Sequence, residues 1–322
     1  MKEFKTHRQQ LRILRERGLI VPKNGVPKKV LLEENYYSLI NGYSSPFLES
    51  NNGEIKYKKG SAFNEIHGLY LFDRELKTTL FKYIISIETK IKSIVAYTFS
   101  ESTSDDKYLK ISSFENYIKV PVGKNKKEKQ TRDITGLILK LQEDITYYYS
   151  KKDYIKHYLN NYGYIPLWVL VNCLSFGVIS KFYSLMKDNQ RIKVSKHFNL
   201  HQNSLKQYIR ALSEARNLCA HDERLYNIQL RNDSKIIDTS YHSQLDIIKN
   251  KGNYTQGKND FFAIVLALKD LLPKRDFKKF IKEIDNEIAT LEKQLKSINI
   301  DVITSSMGLP SNWRNILNMW FT

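Results

Sequence analysis

The sequence predicts an all-α protein, and three observations carry that expectation. Only 13 Gly and 7 Pro punctuate 322 residues, few for a protein of many tight β-turns. Leu, Ile, Lys and Glu, all good helix formers, are abundant. Apolar residues recur at intervals of three and four over long stretches, the period of a helix with one buried face.

The elements follow in chain order. Residues 2–17 form a basic amphipathic pattern, with Leu11, Leu14 and the Phe4 region on one side and Gly18 as terminator. VPKNGVPKK has two prolines and an Asn-Gly turn signal and is expected to be a loop. LLEENYYSLINGY is expected to be a short helix closed near Gly42, and residues 50–61 a loop or small hairpin. The clearest element starts at IHGLYLFDRELK. Leu69, Phe72, Leu76, Leu80, Tyr83, Ile84, Ile87, Ile91, Ile94 and Val95 make one apolar stripe over about eight turns. Residues 101–133 are polar, with the basic stretch VGKNKKEKQTR, and are expected to be a loop or insertion. A helix is expected over about 133–160. The strongly apolar segment IPLWVLVNCLSFGVISKFY then predicts a helix at the centre of the bundle, with Pro166 in its first turn. Asn203 or Ser204 opens the next helix, where Ser204 and Gln207 have capping-box spacing, and Leu205, Ile209, Leu212 and Cys219 form its core stripe. After Asn227 the chain is polar to about Asp260. Two helices, roughly 260–272 and 275–298, precede a compact aromatic end, SSMGLPSNWRNILNMWFT.

The net charge is +18, from 52 Lys and Arg against 34 Asp and Glu. Such an excess says little about fold but favours polyanions such as RNA, DNA or an anionic membrane surface. A generally Lys-rich solvated surface is the bland alternative. Within the segment from Gln190 to Ser213 there is no acid, while Arg191, Lys193, Lys196, Lys206 and Arg210 are present, which makes it the stronger candidate for an RNA-binding surface. Lys124, Lys126, Lys127 and Lys129 could grip phosphates from the insertion, or could belong to a solvated loop. Cys173 and Cys219 are too few for a disulfide framework or a Cys-rich zinc site and are expected to be buried thiols. His67, His157, His197 and His201 do not make a convincing ligand set, so neither metal nor cofactor is expected. The N-terminus lacks an apolar signal region, and the longest apolar run is too short to span a bilayer. A cytoplasmic location without membrane association is the expectation.

Chemistry concentrates in ARNLCAHDERLYN, residues 215–227. Phosphodiester cleavage without metal needs a proton carrier, a counter-charge for the transition state and a positioned phosphate. Histidine suits the first, since its ordinary pKa of about 6.5 is near working pH. Arginine suits the second with its fixed fork of donors, and a neutral amide can orient either group. Asn217 and His221 are i, i+4 and share a helix face. Arg216 is five residues from His221, hence about 140° away around a regular helix. The two converge only if the helix loosens near His221, if the arginine wraps around, or if a second copy across a dimer supplies the partner. Arg–His pairs at such spacing occur by chance, and Arg191 with His197, which lacks the Asn, is expected to be one of these. The competing reading of the motif is helix C-terminal capping, where His and Arg meet the dipole. Arg224 and Asn227 either contact RNA or brace the turn. Asp73 and Arg74 are expected to open the long helix, where an acid is good helix chemistry, and Glu88 to pair with Lys92 in solvent rather than with Arg216.

The longer string RNLCAHDERLYN resembles the R-N-x-C-A-H-x-x-R-L-x-N signature of Abi-like (abortive infection) proteins of the AbiD/AbiF type, within the HEPN superfamily. ERGLIVP, NYYSLINGYSSPF, LYLFDRELK, IPLWVLVNCLSFGVISKFY and MGLPSNWRNIL resemble other parts of that family in the same order. The resemblance implies an all-α fold with a HEPN-type four-helix core and additional N- and C-terminal helices. The divisions would be an N-terminal helical lobe over residues 1–62, the core over 63–230 with the basic insertion near 101–133, and a C-terminal helical region over 231–322. It also implies a metal-independent endoribonuclease active in phage defence, with a homodimer assembling the site. By motif match, Arg216 and His221 would be catalytic and Asn217 the intervening polar residue. In some relatives a small structured noncoding RNA holds the protein. An RNA-binding or RNA-assembled scaffold with a silent or repressed site stays open as the alternative.

Overall fold

A computed structural model describes residues 3–49, 55–103, 107–115 and 124–319. The fold is all-α, with one minimal hairpin among the described residues. Helix α1 (His7–Glu16) starts in a capping box, in which Thr6 accepts from the Gln9 amide and Gln9 returns to the Thr6 N–H. Helix α2 (Val26–Glu33) begins inside the expected proline loop, because Pro27 in the first turn gives up no needed donor. It stops short of the expected helix end: Asn35 caps a separate π turn, Tyr37–Asn41, by accepting from the Tyr37 and Ser38 amides. An isolated antiparallel bridge joins Leu48 to Tyr57.

Helix α3 (Phe63–Ser102) runs 40 residues and is the scaffold of the molecule. Its start is tied down by Glu65, a buried acid. One carboxylate oxygen accepts from the Ala62 N–H, the other from the backbone of Lys296 and Ser297. The expected stripe faces the core: Leu69, Leu76, Leu80, Ile84 and Ile91 have no exposed surface. Asp73 and Arg74 therefore lie well inside the helix, not at its opening. Dipole complementarity does not account for Asp73, because that effect is confined to the first turn.

Helix α4 (Lys124–Tyr149) begins within the segment expected to be a loop. Lys124, Lys126 and Lys127 stand in its first turns, and their side chains lie outside the described residues. The expected 133–160 helix is two helices, with α5 (Asp153–Tyr162) restarting on an acid in its first turn. Gly163, at φ 72°, ends α5 in the left-handed conformation that glycine adopts without a Cβ clash. The apolar segment after Pro166 is likewise broken, into α6 (Leu167–Leu170) and α7 (Phe176–Leu185). Asn172 turns its amide back onto the carbonyls of Trp168 and Val169, and Ser175 caps α7 through the Val178 N–H. Nor is this segment buried throughout, since Trp168 is largely exposed.

Helix α8 (Asp188–Lys196) occupies part of the stretch expected to precede the next helix, and His197 is its C-cap. Helix α9 (Gln202–Ala220) opens on His201, whose ring nitrogen accepts from the Asn203 amide, so the expected Ser204–Gln207 box is not the cap. Next come α10 (Ser240–Gln244), the hairpin β1 (Lys249–Asn250) and β2 (Asn253–Tyr254), α11 (Phe261–Leu271), α12 (Lys274–Glu292) and α13 (Ile300–Ser306). Phe261 to Lys269 are buried without interruption, which places α11, apolar all round, deep in the core. Asp260 caps it, accepting from the Gly257 and Ala263 amides. Gly308, at φ 74°, packs so close to Asp260 that a Cβ there would sit 2.2 Å from the carboxyl. The glycine of MGLP is thus required by close approach as well as by backbone angle. The core is continuous. α3 packs against α6, α7, α8, α9 and α12, while α9 packs against α3, α7, α8 and α11. Among the described residues no helix is long and apolar enough to cross a membrane.

Candidate functional site

The motif residues occupy the last turn of α9 and the loop beyond it. Ala220 is the last helical residue and His221 the C-cap, with φ −102° and ψ 12°. Asp222 then turns into the left-handed region at φ 53°. The helix does loosen at His221, one of the three conditions under which the two side chains could converge. The two side chains nonetheless turn to different surroundings. His221 and Asn217 are exposed, whereas Arg216 lies against α3. Its Nε is 3.6 Å from a Glu88 oxygen, an ion-pair distance beyond hydrogen-bond reach, and its Cζ is 5.7 Å from the Phe81 ring centroid. The arginine side chain keeps 31% of its surface in solvent.

Glu88 is 7% exposed. Its second oxygen forms an ion pair with Lys92 Nζ at 2.7 Å. The expectation of a solvated Lys92 partner is corrected: Glu88 serves both cations from a buried position. It can do so because Ile84, Ile87 and Ile91 beside it draw that face of α3 into the core.

The loop after α9 is held by a second buried acid. Asp73 has 0% exposure and accepts from the Leu225 amide at 3.1 Å, the Tyr226 amide at 2.6 Å and the Tyr43 hydroxyl at 2.8 Å. Lys77, one turn along α3, stands 3.7 Å from Asp73 and also hydrogen-bonds Asp222. Burial raises the pKa of the Asp73 carboxyl, opposed by Tyr43, Lys77 and the two backbone N–H groups. Tyr43 is pushed up strongly by burial and by Asp73. Arg224 braces the same loop by donating to the Gly42 carbonyl at 2.7 Å, linking it to the NYYSLINGY segment. Asn227 is half-buried. Burial pushes the Cys219 thiol up to about 12, so it stays protonated beside this network. His221 is therefore bounded on its C-terminal side by a residue that Lys77 anchors to α3. Sequence reasoning passed over Lys77, Tyr43 and Asp222; the i, i+4 spacing of Asp73 and Lys77 in LYLFDRELK was the available signal.

The basic run after Gln190 divides. Arg191 donates to Asp188 at 2.7 Å and to the Ser184 carbonyl, and Lys193 pairs with Glu101 at 3.2 Å. Acids from outside the acid-free segment thus offset these two, and Lys196 is exposed. Lys206 and Arg210, one turn apart on α9, are different. Lys206 is half-buried, and its pKa is lowered by burial and then by Arg210, Arg191 and Lys181. Arg210 donates to the Asp233 carbonyl, which leaves its charge uncompensated by that contact. At about 100° per residue, Lys206, Arg210 and Asn217 lie within a narrow arc of α9, a stripe of roughly 16 Å that stops one turn short of His221. Among the described residues no three His, Cys, Asp or Glu side chains gather into a group that could hold a metal ion.

The model of the family described as Abi-like protein matches residues 29–227, ending on the last residue of the motif. No curated protein matches the chain, and no solved structure does.

Proposed function

The chain belongs to the Abi-like protein family, and from that premise we propose that it is a metal-independent endoribonuclease of the HEPN type, of AbiD/AbiF kind, acting in abortive infection. The observation that carries the reading is the end of α9, where Asn217 and His221 of the motif stand open to solvent. In the reaction the 2′-hydroxyl attacks the adjacent phosphorus and its proton passes to a base. The P–O5′ bond breaks, and the departing 5′-oxygen takes up a proton. The products are a 2′,3′-cyclic phosphate and a 5′-hydroxyl. His221 moves protons, Arg216 offsets charge on the pentacoordinate transition state, and Asn217 orients. By likeness to the family a homodimer supplies the second motif; within one protomer Arg216 lies against α3 while His221 faces solvent. RNA is the substrate, and Lys206 and Arg210 carry its backbone toward the motif. By likeness to the AbiF type, a structured noncoding RNA is the restraining partner. An oligonucleotide with one 2′-deoxy position tests the mechanism: cleavage stops at that position, whereas normal cleavage there rules out attack by the 2′-hydroxyl.

One observation favours a second reading, a protein that binds RNA with its site at rest. The Arg216 guanidinium is engaged by Glu88 and Phe81. RNA binding with steep salt dependence, unchanged by His221→Ala and without cleavage under any condition, would select it.

A further inference from the structure

A recess of ≈ 780 Å³ lies between α3 and α6, away from the motif loop. Its lining includes Lys92, Ser93, Tyr97 and Ser100 from α3, with Trp168 and Asn172 opposite. Trp168 is 51% exposed and Tyr97 66%. Neither exposure is explained by the core. The Trp168 ring is held edge-on by Tyr158, with centroids 5.9 Å apart and planes at 89°. In the same lining Ser100 has a buried hydroxyl with no hydrogen-bond partner. Neighbouring helical hydroxyls do not share this state: Thr89 and Ser102 donate to the carbonyls four residues back. Asn172 spends its N–H groups on its own helix, so its side-chain carbonyl is what it can offer a ligand.

Two ion pairs link the recess to the motif. Lys92 on its wall pairs with Glu88, and Glu88 faces Arg216. From Glu88 to Tyr97 is ~13 Å along α3. Two presented aromatic rings, with a hydroxyl and an amide carbonyl in the same lining, match the base face and base edge of an unpaired nucleotide. The net charge of +18 supplies the long-range attraction. A second copy of the chain would call for a broader apolar surface than two rings set among Thr89, Ser93 and Asn172.

We propose that this recess binds unpaired nucleotides of RNA, with Trp168 and Tyr97 as stacking platforms, and so selects single-stranded segments for the Arg216 site. The proposal rests on the RNA-cleaving reading of that site, so its test is a binding measurement made without cleavage. In a His221→Ala background, the affinities of a labelled single-stranded RNA and of the same sequence as a duplex are measured by anisotropy. The added substitutions are Trp168→Ala, Trp168→Phe and Tyr97→Ala. Trp168→Ala is expected to weaken single-strand binding about tenfold, the size of one lost base–aromatic stack. Trp168→Phe should restore most of it, with duplex binding and the urea midpoint unchanged. Indole fluorescence should be quenched by the single strand and lose that response in Trp168→Phe. Single-strand affinity unchanged in Trp168→Ala overturns the proposal. So does a shift from dimer to monomer in sedimentation with RNA binding intact, which would assign the recess to a second copy. If Trp168→Ala weakens binding while the unsubstituted protein cuts no RNA, the recess stands and the nuclease reading falls.

Discussion

Asp73 offers the sharpest perturbation, because one buried carboxylate gathers three donors from distant parts of the chain. Asp73→Ala would leave the Leu225 and Tyr226 amides and the Tyr43 hydroxyl without their acceptor. Each buried unsatisfied donor costs about 1–3 kcal/mol, and Lys77 would lose one of its two anionic neighbours. The contributions are not additive. Truncating one member of such a buried network typically costs about 3–5 kcal/mol, so roughly 4 kcal/mol is the working figure. That loss falls on the loop after His221 before it falls on the fold, since α3 and α9 retain their apolar contacts. Amide hydrogen exchange read by mass spectrometry resolves it. At 1.4 kcal/mol per decade, protection at Leu225 and Tyr226 should drop about a thousandfold, while amides in α11 change little. Asp73→Asn keeps an oxygen acceptor and should give a smaller effect. If Asp73→Ala left exchange at Leu225 and Tyr226 unchanged, the loop would be held by something else, and the anchoring argument would be wrong.

Three further outcomes follow from the same geometry. Lys206→Gln and Arg210→Gln should each lower the slope of log affinity for single-stranded RNA against log salt by about 0.7, read from binding titrations at several salt concentrations; Lys193→Gln, already paired with Glu101, should change it less. As pH drops below about 6.5, His242 should take stability away, a share opposed by Asp260, whose pKa burial raises to about 6. That ring is fully buried, accepts from the Thr239 amide at Nδ1 and donates from Nε2 to the Gly257 carbonyl, and burial lowers its pKa. The unfolded chain therefore binds the proton first and gains stability relative to the fold, by up to about 1.4 kcal/mol per pH unit. The advantage in urea midpoint of the unsubstituted protein over His242→Gln should shrink from pH 7.5 to 5.5, while the share of His67, whose pKa burial also lowers, is common to both proteins.

Much of this was written in local patterns. The stripe from Leu69 to Val95 marked α3, and Leu205, Ile209 and Leu212 marked the buried face of α9, because a 3.6-residue period reports burial directly. The breaks at Asn172 and near Ser150 were less legible, since apolar periodicity continues across a helix end and the side-chain-to-backbone bonds that stop the helix cost only a residue or two. Arg216, Asn217 and His221 became candidates through the longer string RNLCAHDERLYN and the resemblance it carries, because Arg–His pairs at that spacing also arise by chance. What supports them could not be read from the string. Asp73 binds amides about 150 residues further along the chain, so nothing near it in sequence distinguishes an anchor from ordinary helix chemistry. The acid-free run misled for the same reason: Glu101, which offsets Lys193, arrives from another helix.

The central claim is that Arg216 and His221 cut RNA without metal. The most direct measurement incubates the purified protein, cleared of co-purifying nucleic acid, with end-labelled single-stranded RNA in excess EDTA, beside Arg216→Ala and His221→Ala. The account predicts cleavage by the unsubstituted protein, 2′,3′-cyclic phosphate ends, and a loss of at least about a hundredfold in either variant with RNA binding retained. Equal cleavage by all three proteins, or cleavage that EDTA abolishes, would contradict it.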